Sequence, residues 1–155
     1  MLEIIHAHTP ECLGVVAELI DEYAASLDFD LCFQDYEKEL HELPGAYAPP
    51  SGRLLLARFD ARVAGCVALH ALDERTCEMK RLYARPEFRG RGVGRALVIA
   101  LLDEARAIGY EVMRLDTVAP KMREAVKLYE SLGFYQIPPY RPNPIDGAKY
   151  MEIKL

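Results

Sequence analysis

The sequence has no long apolar run, no closely paired cysteines and no excess of positive charge, and each lack removes a class of protein. No hydrophobic stretch approaches the roughly 18 residues of a membrane-crossing helix. The four cysteines, Cys12, Cys32, Cys66 and Cys77, show no Cys-x-x-Cys spacing. They read as buried free thiols in a reducing compartment. A formal charge of −5 and a pI near 5.4 speak against a general nucleic-acid binder, which needs a basic stripe. The opening residues Met1 to His6 lack a basic segment followed by an apolar one, so no signal peptide and a cytoplasmic protein are expected. There is no repeat, low-complexity run or linker. With 155 residues, 51% of them hydrophobic and 28% charged, the chain fits one folded domain spanning 1–155 with a full core.

What is present changes period partway along. A first strand is expected over residues 2–8. Pro10 then opens a helix to about Ser26, with Leu13, Val16, Ala17, Ile20 and Tyr23 on one apolar face. A shorter helix fits residues 35–43, and Pro44-Gly45 and Pro49-Pro50-Ser51-Gly52 bracket a loop. Three strands follow as a meander over 53–59, 63–71 and 77–84, turned at Asp60-Ala61-Arg62 and at Asp73-Glu74-Arg75-Thr76. A helix to Ile108 stopped by Gly109, a strand over 112–117, a helix closed by Gly133 and strands over 134–137 and 150–155 complete the chain. The order β-α-α-β-β-β-α-β-α-β-β predicts a mixed sheet with helices on its faces.

Between the meander and the long helix lies Arg89-Gly90-Arg91-Gly92-Val93-Gly94-Arg95. Alternating glycines permit turn conformations closed to other residues and leave N–H groups uncovered where a helix N-terminus adds partial positive charge. Such a loop suits a phosphate. It lacks the Gly-Lys-Ser/Thr ending of a P-loop. A dinucleotide fingerprint begun at Gly92 needs a small residue where Leu97 stands, and a parallel βαβ unit rather than an antiparallel meander. A glycine-rich turn without a ligand is the remaining generic reading. Arg81 and Arg85, upstream, are equally well a solvated face.

Arg89-x-x-Gly92-x-Gly94 after a strand, joined some forty residues on by Leu128-Tyr129-Glu130-Ser131-Leu132-Gly133-Phe134, resembles the GNAT superfamily of acetyl-coenzyme A-dependent N-acetyltransferases. The resemblance covers nearly the whole chain. It implies an α+β fold with a central, mostly antiparallel twisted sheet of about six or seven strands and about four flanking helices, splayed between strands 77–84 and 112–117. It further implies that backbone N–H groups from Arg89, Gly90, Arg91, Gly92, Val93, Gly94 and Arg95 cradle the coenzyme A pyrophosphate. Leu82, Tyr83 and Ala84 would meet the pantetheine arm as a surrogate strand.

The implied reaction is attack of a neutral amine on the acetyl thioester, so a proton must leave the ammonium. The resemblance makes Glu78 the candidate base, directly or through a water; the alternative is a carboxylate paired with Lys80 or Arg81, and strand alternation puts Glu78 and Lys80 on one face. It makes Tyr129 the candidate general acid toward the departing thiolate; the alternative is core packing on the apolar stripe of its helix. Relatives often carry an asparagine where Met122 stands, so that coenzyme contact passes to Lys121 or Arg123 or is lost. No metal is expected, since His6 and His8 lack a third ligand. Cys77 reads as core rather than nucleophile.

The acceptor site implied by the fold lies between residues 23–36 and 137–147. Glu22, Asp28, Asp30 and Asp35 near the first segment would attract a cationic amine, whereas Arg141, beside Tyr135, Tyr140 and Asn143, would grip a carboxylate. The sequence does not choose. The expected partners are acetyl-coenzyme A and an amine acceptor, with no nucleic acid and no membrane and with a homodimer open. A non-catalytic acetyl-coenzyme A sensor is the alternative function.

Overall fold

In the computed structural model, residues 1–27, 36–118, 123–142 and 147–155 are described. Cys32, Asp28, Asp30, Asp35, Lys121, Met122 and Asn143 fall outside them. Strand β1 (Leu2–His6) is followed by helix α1 (Pro10–Ser26) and the short helix α2 (Tyr36–Glu42). The meander is β2 (Arg53–Phe59), β3 (Arg62–Ala71) and β4 (Thr76–Ala84). Helix α3 (Val93–Ile108), β5 (Val112–Val118), α4 (Arg123–Ser131), β6 (Tyr135–Ile137) and β7 (Ala148–Lys154) complete the chain. β1 stops two residues before the expected end because Thr9 caps α1, its hydroxyl accepting from the Cys12 N–H at 3.2 Å, with Pro10 in the first turn.

The seven strands form one sheet in the order β1-β2-β3-β4-β5-β7-β6, antiparallel everywhere except between β4 and β5. Asp60 and Ala61 both have positive φ (51° and 68°), as a two-residue hairpin turn between β2 and β3 requires. The Asp73 carboxylate accepts from the N–H groups of Arg75 and Thr76 at 2.8 Å each and fixes the next turn. One apolar layer sits under α3 and α4, with Leu97 and Leu101 fully buried against Leu69 and Met113; the other sits under α1, with Val16, Leu19 and Ile20 against Leu56 and Ala68. Truncating Leu97 or Leu101 to Ala would cost on the order of 3 kcal/mol. Of the three that are described, Cys66 and Cys77 are buried free thiols, as expected, whereas Cys12 is a free thiol only half-buried.

Two features of β4 open the sheet. Its parallel pairing with β5 covers only Thr76↔Val112, Cys77↔Met113 and Glu78↔Arg114. Beyond Glu78 the strands diverge while β5 stays paired to β7 as far as Val118↔Ala148. The second feature is a bulge: Cys66 faces Tyr83 and Ala68 faces Lys80, so Arg81 and Leu82 share the single intervening residue of β3, and Arg81 has φ of 61°. The extra residue inverts the strand's parity. Met79 belongs to the α3 layer, whereas after the bulge Leu82 and Ala84 pack there and Tyr83 joins the α1 layer.

Candidate active site

The divergence of β4 and β5 leaves a cleft of about 690 Å³. One wall is β4 from Met79 to Ala84, the other is β5 from Leu115 to Thr117, and α4 contributes Arg123, Ala125, Leu128 and Tyr129. The glycine loop closes one end. Gly90 and Gly92 have φ near 79° (78° and 79°), and Gly92 is the N-cap of α3 with no side-chain cap. The Ala96 N–H bonds back to the Gly92 carbonyl at 3.0 Å, so the first-turn N–H groups of Val93, Gly94 and Arg95 have no partner within the helix. Gly90, Gly92 and Gly94 present no side chain to the cleft, and the helix dipole points its positive end there.

The sequence-expected coenzyme residues Leu82, Tyr83, Ala84, Arg89, Gly90, Gly92, Val93, Gly94 and Arg95 all line this cleft. Arg91 does not; its guanidinium lies 5.3 Å from the centre of the Phe59 ring. Arg81 and Arg85 are not a solvated face. Arg81 is buried and forks onto Glu39 with bonds of 2.9 and 3.1 Å, and Arg85 holds Glu22 at 2.7 Å, which ties α2 and α1 to β4. Of the residues considered in place of the asparagine, Arg123 reaches the cleft wall.

Tyr129 lines the same cleft at its α4 side, packed on Phe134 with ring centres 5.6 Å apart. Its hydroxyl makes no hydrogen bond to a described residue. Burial, then the neighbouring Tyr23 and Asp116, hold the phenol far above its usual range, so it remains protonated at neutral pH. Cys77 has the opposite outlook for chemistry. Burial pushes its thiol up to about 12, which removes it as a nucleophile.

Glu78 lies elsewhere. It is fully buried and faces a smaller hollow of about 330 Å³ that adjoins the cleft at Lys80. Its Oε1 takes the His70 Nε2 bond at 2.7 Å; its Oε2 accepts from the Tyr140 hydroxyl at 2.5 Å and from Arg141. Neither Lys80 nor Arg81 makes a direct ion pair with it; its partners are His70, Tyr140 and Arg141, and Arg81 pairs with Glu39. Burial alone would raise its pKa, but the His70 bond, Lys80, Tyr140 and Arg141 together hold the carboxyl below the ordinary carboxylate range. The structure thus brings Tyr129 and the glycine loop onto one cleft and puts Glu78 on the adjoining hollow.

Sequence reasoning gave no role to His70 or Asp116 and named Lys80 only as a possible partner of Glu78. His70 and Glu78 stand four residues either side of Glu74, at the centre of the Asp73 turn, so the hairpin register alone pairs them. Lys80 is visible as a charged residue within an apolar strand. Asp116 lies on the cleft wall of β5, facing Lys80. Tyr135, grouped earlier with the acceptor loop, sits on the exposed edge strand β6 and bonds Glu152 at 2.6 Å, away from both hollows. Among the described residues no cluster could hold a metal ion.

The sequence pattern of the Acetyltransferase (GNAT) family matches residues 15–134. The chain is 40% identical over 148 residues to an uncharacterised N-acetyltransferase of Schizosaccharomyces pombe, covering 94% of this chain and 90% of that protein. It superposes on an acetyltransferase from Streptococcus agalactiae with a TM-score of 0.78 and 26% identity, covering 99% and 98% of the two chains. A Salmonella typhimurium protein solved with its cofactor acetyl-CoA shares the fold, with a TM-score of 0.68 and 21% identity over 99% of this chain and 93% of that one. A match over most of the chain, on a sheet splayed between β4 and β5 beside a glycine loop, makes this protein a member of the GNAT acetyltransferase family.

Proposed function

We propose that the chain transfers the acetyl group of acetyl-coenzyme A to the primary amine of a small molecule or peptide, by direct attack within a ternary complex. The observation that carries this reading is the cleft itself. First-turn N–H groups without a partner in their helix lie at one end, strand β4 released from β5 runs along the wall, and a protonated phenol that bonds no described residue lies at the α4 side.

Each residue has a distinct task. The N–H groups from Arg89 to Arg95 bind the pyrophosphate, with the dipole of α3 behind them. Leu82, Tyr83 and Ala84, freed from β5 by the divergence, offer backbone groups to the pantetheine amides. A backbone N–H of β4 polarises the thioester carbonyl as an oxyanion donor. The acceptor arrives as an ammonium and must lose a proton before its nitrogen forms the new C–N bond. Glu78 takes that proton through a water, since its carboxylate lines the adjoining hollow rather than the cleft itself. As the C–S bond breaks, the Tyr129 hydroxyl donates to the departing sulfur.

The test is thiol release from acetyl-coenzyme A across a panel of polyamines, amino acids, aminoglycosides and peptides, with coenzyme A-induced thermal stabilisation as the binding control. Release with at least one amine is the expected result. Thermal stabilisation by the coenzyme with no release for any amine would instead make the domain a non-catalytic binder.

A further inference from the structure

Arg141 belongs to the loop before β7, and its position is fixed by more than its own charge. Its carbonyl accepts the Tyr150 hydroxyl at 2.6 Å, and its guanidinium stacks 4.9 Å from the centre of the Tyr140 ring. One nitrogen of the fork is committed to Glu78, while 30% of the side chain stays open to solvent at the smaller hollow. Donors from Tyr140 and Arg141 already converge on a carboxylate there, and Arg141 has N–H groups to spare.

Lys80 supplies a second cation. It is half-buried, lines both hollows, and makes no hydrogen bond or ion pair to a described residue. The acids on its side of the sheet are largely engaged: Glu39 holds Arg81 and the Tyr47 hydroxyl, and Glu78 holds His70, Tyr140 and Arg141. Glu42 and Lys38 lie on the rim with opposite charges, and Asp116 faces Lys80 from the cleft side. A desolvated cation without a direct partner is costly, and an anion from solution relieves that cost.

We propose that the smaller hollow is the acceptor's carboxylate subsite, in which Arg141 and Lys80 take the carboxylate of a free amino acid and hold its amine at the thioester in the adjoining cleft. The proposal rests on the acetyl-transfer reading above and narrows its acceptor. A polyamine would bring positive charge against two cations. A peptide carries its terminal carboxylate far from its terminal amine, whereas a free amino acid places the two groups on one carbon. About 330 Å³ is at the small end of ligand pockets, which suits a ligand of that size. The arrangement also couples binding to proton transfer. When the acceptor's carboxylate shares Arg141, Glu78 loses part of the positive charge that keeps it ionised. It then accepts the ammonium proton more readily, passing from carboxylate to carboxylic acid as the ammonium becomes the free amine.

The experiment pairs each of L-alanine, L-methionine and L-glutamate with its α-carboxamide and its decarboxylated amine. Binding to the coenzyme A-saturated full chain is measured by calorimetry, and thiol release from acetyl-coenzyme A is measured in parallel. The expected result is at least tenfold tighter binding and tenfold higher kcat/KM for the free acid of at least one trio. Arg141→Gln and Lys80→Gln should each remove most of that preference while the coenzyme still raises the melting temperature; Arg141→Lys should restore part of it. Acids that bind selectively without thiol release would leave the subsite standing and overturn acetyl transfer. Carboxamides or amines that bind as well as the acids would overturn the subsite whether or not thiol is released, as would variants that lose acid and amide equally.

Discussion

Glu78 and Tyr129 occupy opposite electrostatic situations, and their variants should part accordingly. Glu78→Gln keeps the shape of the side chain and its bond to Arg141 or Tyr140 but cannot take a proton. Turnover should fall on the order of 100-fold, with the coenzyme-induced melting shift preserved; unchanged kcat from pH 6 to 9 would remove Glu78 as proton acceptor. Tyr129→Phe deletes a hydroxyl that no described residue bonds, so folding stability should change by less than about 1 kcal/mol while turnover drops on the order of tenfold or more. A full-rate Phe variant would leave Tyr129 as core packing alone. Both residues were singled out from motif and spacing. Their surroundings were not, because Tyr140 and Arg141 reach Glu78 from more than sixty positions away in sequence, with separations of 62 and 63. Only His70 could have been found, by counting back through the Asp73 turn.

At the scale of elements, the glycine loop and the β4 bulge divide the work of making a cleft. The loop was readable because glycine announces its backbone: φ of 79° at Gly92 is one that other residues adopt at a cost. A Cβ there would meet nothing within 4 Å, so Gly92→Ala isolates the backbone effect from any clash. It should lower stability by about 1–2 kcal/mol and weaken coenzyme A binding several-fold by reorienting the N–H groups, measured by denaturant unfolding and by calorimetry. Unaltered coenzyme affinity would mean that the loop's glycines serve the turn and not the phosphate. The bulge was not readable, since Arg81 is the left-handed residue and arginine gives no local sign of it. What places it there is tertiary: the fork onto Glu39 of α2 holds the side chain on the α1 side of the sheet. Strict alternation through residues 77–84 therefore identified the strand and missed its change of parity.

In the molecule as a whole, carboxylates stitch the helices and late strands to the sheet, and their titration should govern acid stability. Glu22 of α1 bonds Arg85 just past the end of β4, Glu78 joins β3 and β4 to the loop before β7, and Glu152 of β7 bonds Arg114 of β5 and Tyr135 of β6. All three lie below their ordinary range. For Glu22 the Arg85 bond is the main cause; for Glu78 and Glu152 burial works the other way and is outweighed by their donors. A carboxylate with a depressed folded pKa binds fewer protons folded than unfolded. Its contribution is therefore complete above the unfolded value, near pH 4.3, and is lost as pH falls through the folded value. Unfolding free energy should be flat from about pH 6 to 5 with respect to these groups and fall steeply below pH 4. Glu78→Gln removes one of the protons taken up, so its slope in that acid window should be shallower by up to about 1.4 kcal/mol per pH unit. Urea unfolding of both proteins at half-unit intervals from pH 5.5 to 3 measures the difference, and parallel slopes would mean that Glu78 titrates alike in the folded and unfolded chain.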